Sequence, residues 1–488
     1  MPISFFCRAL VLCFLFSFWI HSGEELAIGP EENTEEKINL SEVSSAIDRA
    51  IDYIIRHTKP SGQFIYIAYP MENGESVTVP NPDAYNMLRH AGTVYALAEG
   101  LAREQLIRRG EDTPSGRERR LRSVYQDASR YLRSGLGRVR GTRNALALWE
   151  EKRTGLPAAI DNMEREAKLG GAGLTLLAVA RGELIEEGLS GFTMDELRGL
   201  CYFIRSLQRQ NGSFVSKVDA NADPDDFESL YYPGEAAMGL GWFARLEPDP
   251  EKAALWRETA LKTILYLAKS RKGQETVLPD HWALLATRVI LEDWQWYKGS
   301  LEDQQLLLTH ALQIVGQFFS EEIHNGPMKG NFREDGILCP ASIRLEGLTA
   351  ARIFFAHPDA QPLCALIDKT INNTVDLLLR TQISAAEGGA FTDGGWPRAS
   401  EPMPIETEEN FLAKLLLGGI NVAGRGLQEE QVREALLGAA RQEVNRVERF
   451  NRRVREIRID YVQHAACALM TYELLLLLFQ YERGYEDE

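Results

Sequence analysis

Apolar residues beyond position 41 recur mostly at intervals of three and four positions, which is the spacing of one face of an α-helix. Alternation of the strand type is confined to short pieces such as "GQFIYIAYP" and "ESVTVP". The pattern therefore predicts an all-α protein with short β pieces in its loops.

The predicted helices come in pairs, and the first helix of each pair repeats one pattern. A polar residue is followed by small residues and then by a long apolar stripe, as in "LGGAGLTLLAVA" and "QHAACALMTYELLLLLF". Small residues allow close helix packing, so we expect these to be inner helices, separated by enough chain for a second helix and loops. The repeats are anchored on His90, Gly171, Glu235, His281, Glu346, Asn410, the weakest match, and His464.

The second helix of each pair is amphipathic, as in "TMDELRGLCYFIRSLQRQ", and its charged face suits an outer ring in contact with water. Several of these helices end at a glycine that is followed two residues later by phenylalanine. A glycine can end a helix in the left-handed conformation, and we expect the aromatic ring to dock back on the fold. The pairs are Gly62 and Phe64, Gly212 and Phe214, Gly330 and Phe332, and Gly389 and Phe391.

The alternation of inner and outer helices, with the motif "Q-x-x-x-G-x-F" from Gln208 to Phe214 at a helix end, resembles the α/α-toroid superfamily. That superfamily includes six-hairpin glycosidases, uronate lyases, the helical domain of glucuronyl C5-epimerases, and terpene cyclases. The resemblance covers about residues 42 to 484 and implies one α/α-toroid domain over 42–488, with six or seven helical hairpins. The last helix, from Asp460, is expected to close the ring against the first, 44–57.

The resemblance also places a site at one end of a central funnel, where parallel inner helices begin. Helix N-termini and arginines there favour an anionic ligand, and aromatic faces can stack on sugar rings. Capping or core packing remains the alternative for each candidate. The catalytic candidates are Glu235, Glu346, His281, Tyr461 and His464, and the substrate-binding candidates are Arg89, His90, Tyr232, Asp280, Trp282, Arg344, Asp460 and Gln463.

No cofactor is predicted, but two metal sites are alternatives. A calcium-like spacing occurs at Asp219, Asn221, Asp223 and Asp225. Pro224 replaces the usual turn glycine and Leu230 stands at the twelfth position, so a solvated acidic loop is favoured over calcium. Zinc is the second alternative, through His90, His281 and His464.

The formal charge of -16, without a dense basic run beside exposed aromatics, argues against nucleic acid as a partner. The motif of a phosphate-binding loop and the elbow of a serine hydrolase are both absent from the sequence. Four cysteines follow the leader and are expected to be buried free thiols, with one long-range disulfide as the alternative. They are Cys201, Cys339, Cys364 and Cys467.

Residues 1–22 have one early cation, Arg8, and then an apolar run, which is typical of a secretory signal peptide. An uncleaved anchor that tethers the chain to a membrane is the alternative. Residues 23–41 are acidic and weakly apolar, so they are predicted to be a flexible spacer. The sequence thus predicts export to the periplasm, the cell surface or the medium.

These features favour an exported carbohydrate-active protein that acts on an acidic poly- or oligosaccharide at the funnel rim. A hydrolase would use Glu235 with Glu346. A lyase or epimerase would use His464, Tyr461, His281 and Arg344. A complete catalytic motif of these classes does not occur in the sequence, so enzymatic activity stays open. The alternative is a noncatalytic polysaccharide-binding or scaffold protein of a cell envelope.

Overall fold

A computed structural model of the 488-residue chain describes residues 38–70, 76–78, 85–108, 113–159, 164–356, 360–404 and 429–486. The predicted leader, most of the acidic spacer and the weak repeat anchored on Asn410 lie outside the described residues. The predictions for these segments therefore stay predictions.

The helices, in chain order, are α1 Leu40–Arg56, α2 Met87–Arg108, α3 Gly116–Arg133, α4 Leu169–Ile185, α5 Met194–Leu207, α6 Tyr232–Leu246, α7 Pro250–Arg271, α8 His281–Glu292, α9 Leu301–Glu321, α10 Cys339–Phe354, α11 Gln361–Thr381, α12 Ala385–Gly388, α13 Glu429–Asn451 and α14 Ile459–Glu486. The strands are β1 Ile67–Pro70, β2 Ser76–Thr78, β3 Leu136–Arg138, β4 Leu146–Glu151, β5 Arg165–Lys168, β6 Lys217–Asp219 and β7 Ile457–Arg458.

Six inner helices form a closed ring within the described part of the chain. Each packs against two others in the cyclic order α2, α4, α6, α8, α10, α14 and back to α2. Five outer helices, α3, α5, α7, α9 and α11, pack on the inner helix that precedes them, and α1 packs on α14. The predicted α/α toroid is therefore confirmed, with six hairpins among the described residues and its last helix closed against its first.

Small residues let the inner helices approach closely, as the sequence predicts. A Cβ atom on Gly239 of α6 would lie 2.2 Å from the carbonyl oxygen of Gly173 in α4, so these two helices meet backbone to backbone. Gly234, near the start of α6, meets Trp282 near the start of α8. Residues near the start of one inner helix contact residues near the start of the next, so the inner helices run parallel. We call the end where the inner helices begin the site end.

The glycines that follow the outer helices contact the next outer helix. Gly212 has φ +99° after α5, and a Cβ there would lie 2.5 Å from the carbonyl oxygen of Lys262 in α7. The Gln208 side chain donates a hydrogen bond to the carbonyl oxygen of Thr259 in the same helix at 3.0 Å. Loss of the left-handed glycine would therefore disturb a junction between two hairpins.

The fourth predicted glycine pair differs in detail from the prediction. Gly389 has a positive φ of 82°, but Gly394 makes the close contact with the next outer helix, meeting the carbonyl oxygen of Arg49 in α1. Trp396, two residues later, is the buried aromatic. Gly394 and Trp396 thus make the close glycine contact and the buried aromatic contact that we predicted for Gly389 and Phe391.

The short strands form two antiparallel sheets, in the orders β2-β1-β7 and β3-β4-β5-β6. Strand β5 runs directly into α4 and β7 directly into α14, so the sheets fix the starts of two inner helices. One helix in the described part is long and apolar enough to cross a membrane, Ile459–Leu478 within α14, and 67% of that segment is buried inside the fold. Its apolar character matches its position as an inner helix.

All four cysteines that follow the leader lie in the described residues and are free thiols, as the sequence predicts. Three of them are buried, and Cys339 is partly exposed at the start of α10.

Candidate active site

His464 and Glu346 form a hydrogen-bonded pair at the site end. His464 lies in the second turn of α14 and Glu346 in the second turn of α10. Nδ1 of His464 lies 2.9 Å from Oε2 of Glu346. Burial raises the pKa of Glu346, although His464 opposes this shift. Burial lowers the pKa of His464, but contact with Glu346 outweighs it and holds that pKa above its ordinary value. The pair can therefore hold a proton near neutral pH.

His281 lies beside this pair at the first position of α8. Its Nε2 is 3.7 Å from Oε2 of Glu346, and its ring centroid is 5.8 Å from that of His464. The side chain is buried, and neither ring nitrogen meets a hydrogen-bond partner among the described residues. Burial, with the nearby charges of His464 and Arg344, lowers the pKa of His281 well below its ordinary value. Its imidazole is therefore neutral and open to a ligand.

Glu235 lies in the first turn of α6, after Pro233 and Gly234, and is 4% exposed. Burial, and then the charge of Asp280, raises the pKa of Glu235 to about 8. Its Oε2 atom has no hydrogen-bond partner in the part of the chain that the structure describes. The side chain of Tyr231, the N-cap residue of α6, makes no capping hydrogen bond, and the Tyr232 amide at the helix start donates to Ser229 Oγ at 3.3 Å, so capping does not account for this carboxyl group.

Two predicted binding residues are held inside the fold. Asp280 caps α8 by accepting from the Ala283 amide at 3.1 Å, and its other oxygen accepts from Arg271 at 2.9 Å. His90 Nδ1 meets the Tyr85 hydroxyl at 2.7 Å, and its Nε2 meets the Ala128 carbonyl oxygen at 2.9 Å. Burial lowers the pKa of His90 to about 4. A substrate would have to displace these partners to bind either side chain.

The predicted arginines are paired with carboxylates. Arg344 is buried and donates to Oε2 of Glu321 from Nε at 3.0 Å and from Nη2 at 2.6 Å. Arg89 lies 3.2 Å from Asp460 and above the ring of Tyr66. An anionic ligand would therefore compete with a carboxylate at either arginine. Their binding roles stay predictions.

The remaining candidates lie around the central cluster. The Trp282 ring centroid is 6.5 Å from that of His464. The Gln463 side-chain nitrogen is 3.4 Å from His464 Nδ1. Tyr461 is buried to 9% exposure and lies under the Arg458 guanidinium. Tyr232 adjoins Glu235, because a Cβ on Gly170 would strike both side chains.

Two residues near the site were missing from the predicted set. The Tyr231 ring packs edge-on against His281 at a centroid distance of 5.1 Å. Gly170 in α4 leaves the space that Glu235 and Tyr232 occupy, since a Cβ there would lie 1.9 Å from Glu235 Oε2. The "LGGAGL" run did contain this signal, but small residues in an inner helix are explained equally well by helix packing.

The residues that could hold a metal differ from the predicted zinc triad. Among the described residues, one group of three has ligand atoms within 4.8 Å of one another: His281, Glu346 and His464. His90 is not part of this group, so the described residues do not form the alternative zinc site of three histidines. Two imidazoles and a carboxylate would suit zinc by ligand type.

The calcium-like loop folds as a turn. Asp219 Oδ1 accepts from the amides of Asn221 and Asp223 at 2.8 and 3.1 Å, and Asp225 pairs with Lys217 at 3.2 Å. These contacts engage oxygens that calcium would need.

Comparison with known proteins identifies the fold class. A D-mannose isomerase structure is 11% identical, with 74% of this chain and 91% of that chain covered and a TM-score of 0.51. A family 76 glycoside hydrolase from a bovine Bacteroides thetaiotaomicron strain is 8% identical, with coverage of 90% and 78% and a TM-score of 0.51. A cellobiose 2-epimerase from Bacillus thermoamylovorans is 9% identical, with coverage of 74% and 90% and a TM-score of 0.49.

No family model matches the sequence, and the search of curated proteins found no match. The chain has the α/α-toroid fold. Identities at this level establish the fold alone.

Proposed function

We propose that the protein is a carbohydrate-active enzyme that moves a proton at the carbon next to a sugar carbonyl, as an isomerase or epimerase does. The observation that carries this proposal is the convergence of His464, Glu346 and His281 at the site end. The two neighbours with TM-scores of 0.51 are named as an isomerase and a glycoside hydrolase, which agrees with a saccharide ligand.

The geometry suits His464 as the general base. Glu346 occupies Nδ1 of His464, which leaves Nε2 for proton exchange with a substrate. The His464 side chain keeps 17% exposure while Glu346 keeps 3%, so a sugar can reach the imidazole more readily than the carboxylate. Glu346 would orient the ring and stabilise its protonated form. Neutral His281 would offer a hydrogen bond to a sugar hydroxyl.

A glycoside hydrolase is the second candidate, with Glu235 and Glu346 as the carboxyl pair. Such an enzyme needs one protonated acid and one ionised carboxylate. Burial raises the pKa of both groups, and Glu346 is already bonded to His464. These facts favour proton transfer by the imidazole over a carboxylate pair.

An acidic substrate remains part of the proposal in a narrower form. The Arg89 side chain keeps 34% exposure, against 8% for Arg344 and 15% for Arg458. A uronate would thus meet Arg89 first, in competition with Asp460. A neutral sugar would not have to displace Asp460 from Arg89.

Export of the chain is also proposed, on the basis of the leader sequence alone. Mass spectrometry of the native N-terminus tests it. A mature chain that begins near residue 23 supports a cleaved signal, whereas intact Met1 in the membrane fraction supports an anchor.

The product formed from a panel of sugars tests the proposed reaction. Purified protein is incubated with D-mannose, cellobiose, mannose oligosaccharides and uronate oligosaccharides, and the products are resolved by chromatography. An isomer or epimer of unchanged length supports the proposal. Shorter sugars would support the hydrolase, and binding without any product would support the noncatalytic alternative.

A further inference from the structure

Glu235 lies at the site end, one helical turn after Tyr231, whose ring packs against His281 at a centroid distance of 5.1 Å. It projects from the first turn of α6, beside α4 and near the start of α8. Its carboxyl group and the Tyr232 ring fill the space above Gly170, where a Cβ would lie 1.9 Å from Oε2 and 2.6 Å from the ring. A methyl group of Leu88 also lies 2.9 Å from that Cβ position, so the absence of a side chain at Gly170 leaves room for Glu235, Tyr232 and Leu88.

Glu247 and Glu322 have clear structural partners. Glu247 accepts from Arg198 at 2.6 Å, and Glu322 accepts from Thr370 and Asn373 at 2.6 and 2.8 Å. Glu118 and Asp460, each with one oxygen that lacks a hydrogen bond among the described residues, lie near arginines. Glu235 Oε2, by contrast, is buried with no hydrogen-bond partner among the described residues. A buried polar atom without a partner costs stability, so a polar ligand atom is an effective way to satisfy it.

The charge around Glu235 keeps it protonated. The charged neighbour that shifts its pKa is Asp280, and it acts in the same direction as burial. Asp280 has Arg271 as its cation, whereas an ionised Glu235 would be a further buried negative charge, and no cation among the described residues contributes to its pKa shift. The neutral acid is therefore the stable form near pH 7.

We propose that Glu235 is a second proton carrier of the site, a neutral carboxylic acid that donates its proton to a sugar carbonyl oxygen. This inference rests on the proposed isomerase or epimerase function. His464 takes the proton from the carbon next to the carbonyl, and the electrons of that C–H bond form a carbon–carbon double bond. The carbonyl π electrons move to oxygen, which takes the Glu235 proton and becomes an enediol.

The two proton transfers then run in reverse, with the proton returned to a different carbon or to a different face of the same carbon. An enediol O–H gives its proton to the Glu235 carboxylate as a carbonyl forms, and the imidazolium of His464 delivers a proton to carbon. No oxidant, reductant or further reactant is needed. When the hydroxyl on the neighbouring carbon loses its proton and His464 delivers a proton to the former carbonyl carbon, aldose and ketose interconvert. When the original oxygen loses its proton and the intermediate has turned over, delivery to the opposite face of the deprotonated carbon gives the epimer.

Infrared difference spectroscopy tests the state of Glu235 directly. Spectra of the wild type and Glu235→Gln are compared at neutral pH, alone and with saturating D-mannose or cellobiose. Glu258→Gln, at an exposed position on α7, is the matched control. We expect a protonated carboxyl band that is lost only in Glu235→Gln and that shifts when sugar binds.

Turnover separates this inference from the proposed function. Glu235→Gln should lower kcat about a hundredfold or more with a smaller change in KM, since general acids typically contribute this much. Lack of a protonated band, or a band that saturating sugar does not shift, overturns the inference, as does unchanged turnover in Glu235→Gln. A shifted band in a wild type that converts none of the sugars overturns the proposed reaction while retaining Glu235 as a hydrogen-bond donor.

Discussion

Ion pairs occur at both ends of the inner ring, but the two ends use their buried charged and polar groups differently. At the far end, where the inner helices finish, Arg103 of α2 meets Glu473 of α14 at 2.9 Å and Asp48 of α1 at 2.8 Å. Arg245 of α6 likewise meets Asp293, just after α8, at 2.7 Å. Each contact joins neighbouring helices, so the far end uses charge to hold the ring closed.

At the site end, polar groups of the same helices are left with capacity to bind. Glu235 Oε2 and both ring nitrogens of His281 lack hydrogen-bond partners among the described residues. Such groups cost stability, and a fold selected for stability alone would pair or replace them. The difference indicates that the far end supports the structure and that the site end supports chemistry.

The largest expected effect is on activity at the site end. His464→Ala removes the general base and should lower kcat about a hundred- to ten-thousandfold. The melting temperature should change less than in a far-end variant, because burial favours the uncharged form of the Glu346 that remains. Steady-state kinetics on the converted sugar and thermal unfolding are measured in parallel. His324→Ala, at a histidine with 57% exposure, is the control and should keep full activity. Equal activity in both variants would remove His464 from the mechanism.

The far end should show the reverse behaviour. Arg103→Ala leaves Glu473 without its cation in a buried position, which should cost about 3 to 5 kcal/mol of stability. Denaturant unfolding measures this loss, and kcat of the folded fraction should stay unchanged. Arg130→Ala, at an arginine with 72% exposure that pairs with Asp127, should cost about 1 kcal/mol or less. Similar losses in both variants would contradict a stabilising far end.

Glu235 should make stability depend on pH. Its pKa is about 8 in the folded chain against an ordinary 4.5, so the folded state binds this proton more tightly than the unfolded state. The stabilisation is complete below about pH 4.5 and is lost as pH rises toward about 8, by about 1.4 kcal/mol per pH unit. Glu235→Gln cannot ionise.

The stability of Glu235→Gln relative to wild type should therefore increase through that window and level off above it. Denaturant unfolding of both proteins at about pH 5 and about pH 8 measures the change. A difference that stays constant between the two pH values would mean that Glu235 is not held as a neutral acid.

The smallest expected effect is that of a chelator. Acid–base chemistry by His464 and Glu346 needs no metal, so dialysis against EDTA should leave turnover unchanged. The metal content of the purified protein is measured at the same time. If activity were lost and then restored by zinc, the cluster of His281, Glu346 and His464 would act as a metal site instead.

The sequence predicted the ring because inner and outer helices differ in composition along their whole length. It did not reveal the rotation of each helix about its axis. Residues two apart on a helix point about 200° away from each other, so Arg344 and Glu346 cannot both face the funnel. Glu346 meets His464, and Arg344 meets Glu321 on the outer side.

The rotation of the helix about its axis also explains why His90 does not face the site. It lies in the first turn of an inner helix, as predicted, but its ring nitrogens meet Tyr85 and the carbonyl oxygen of Ala128 in outer helix α3. Asp280 immediately precedes its helix. Capping was the alternative for this residue, and the structure shows that Asp280 does cap α8. Periodicity thus located the elements, whereas the partners of each side chain depend on helix rotation.

Solvent deuterium exchange tests the central claim most directly. The wild type and His464→Ala are incubated in D2O with D-mannose or cellobiose, and proton NMR follows the carbon next to the carbonyl. The proposed chemistry predicts deuterium at that carbon with the wild type and a loss of about a hundredfold or more in the exchange rate with His464→Ala. Product formation without deuterium, or equal exchange in both proteins, would contradict proton transfer by His464.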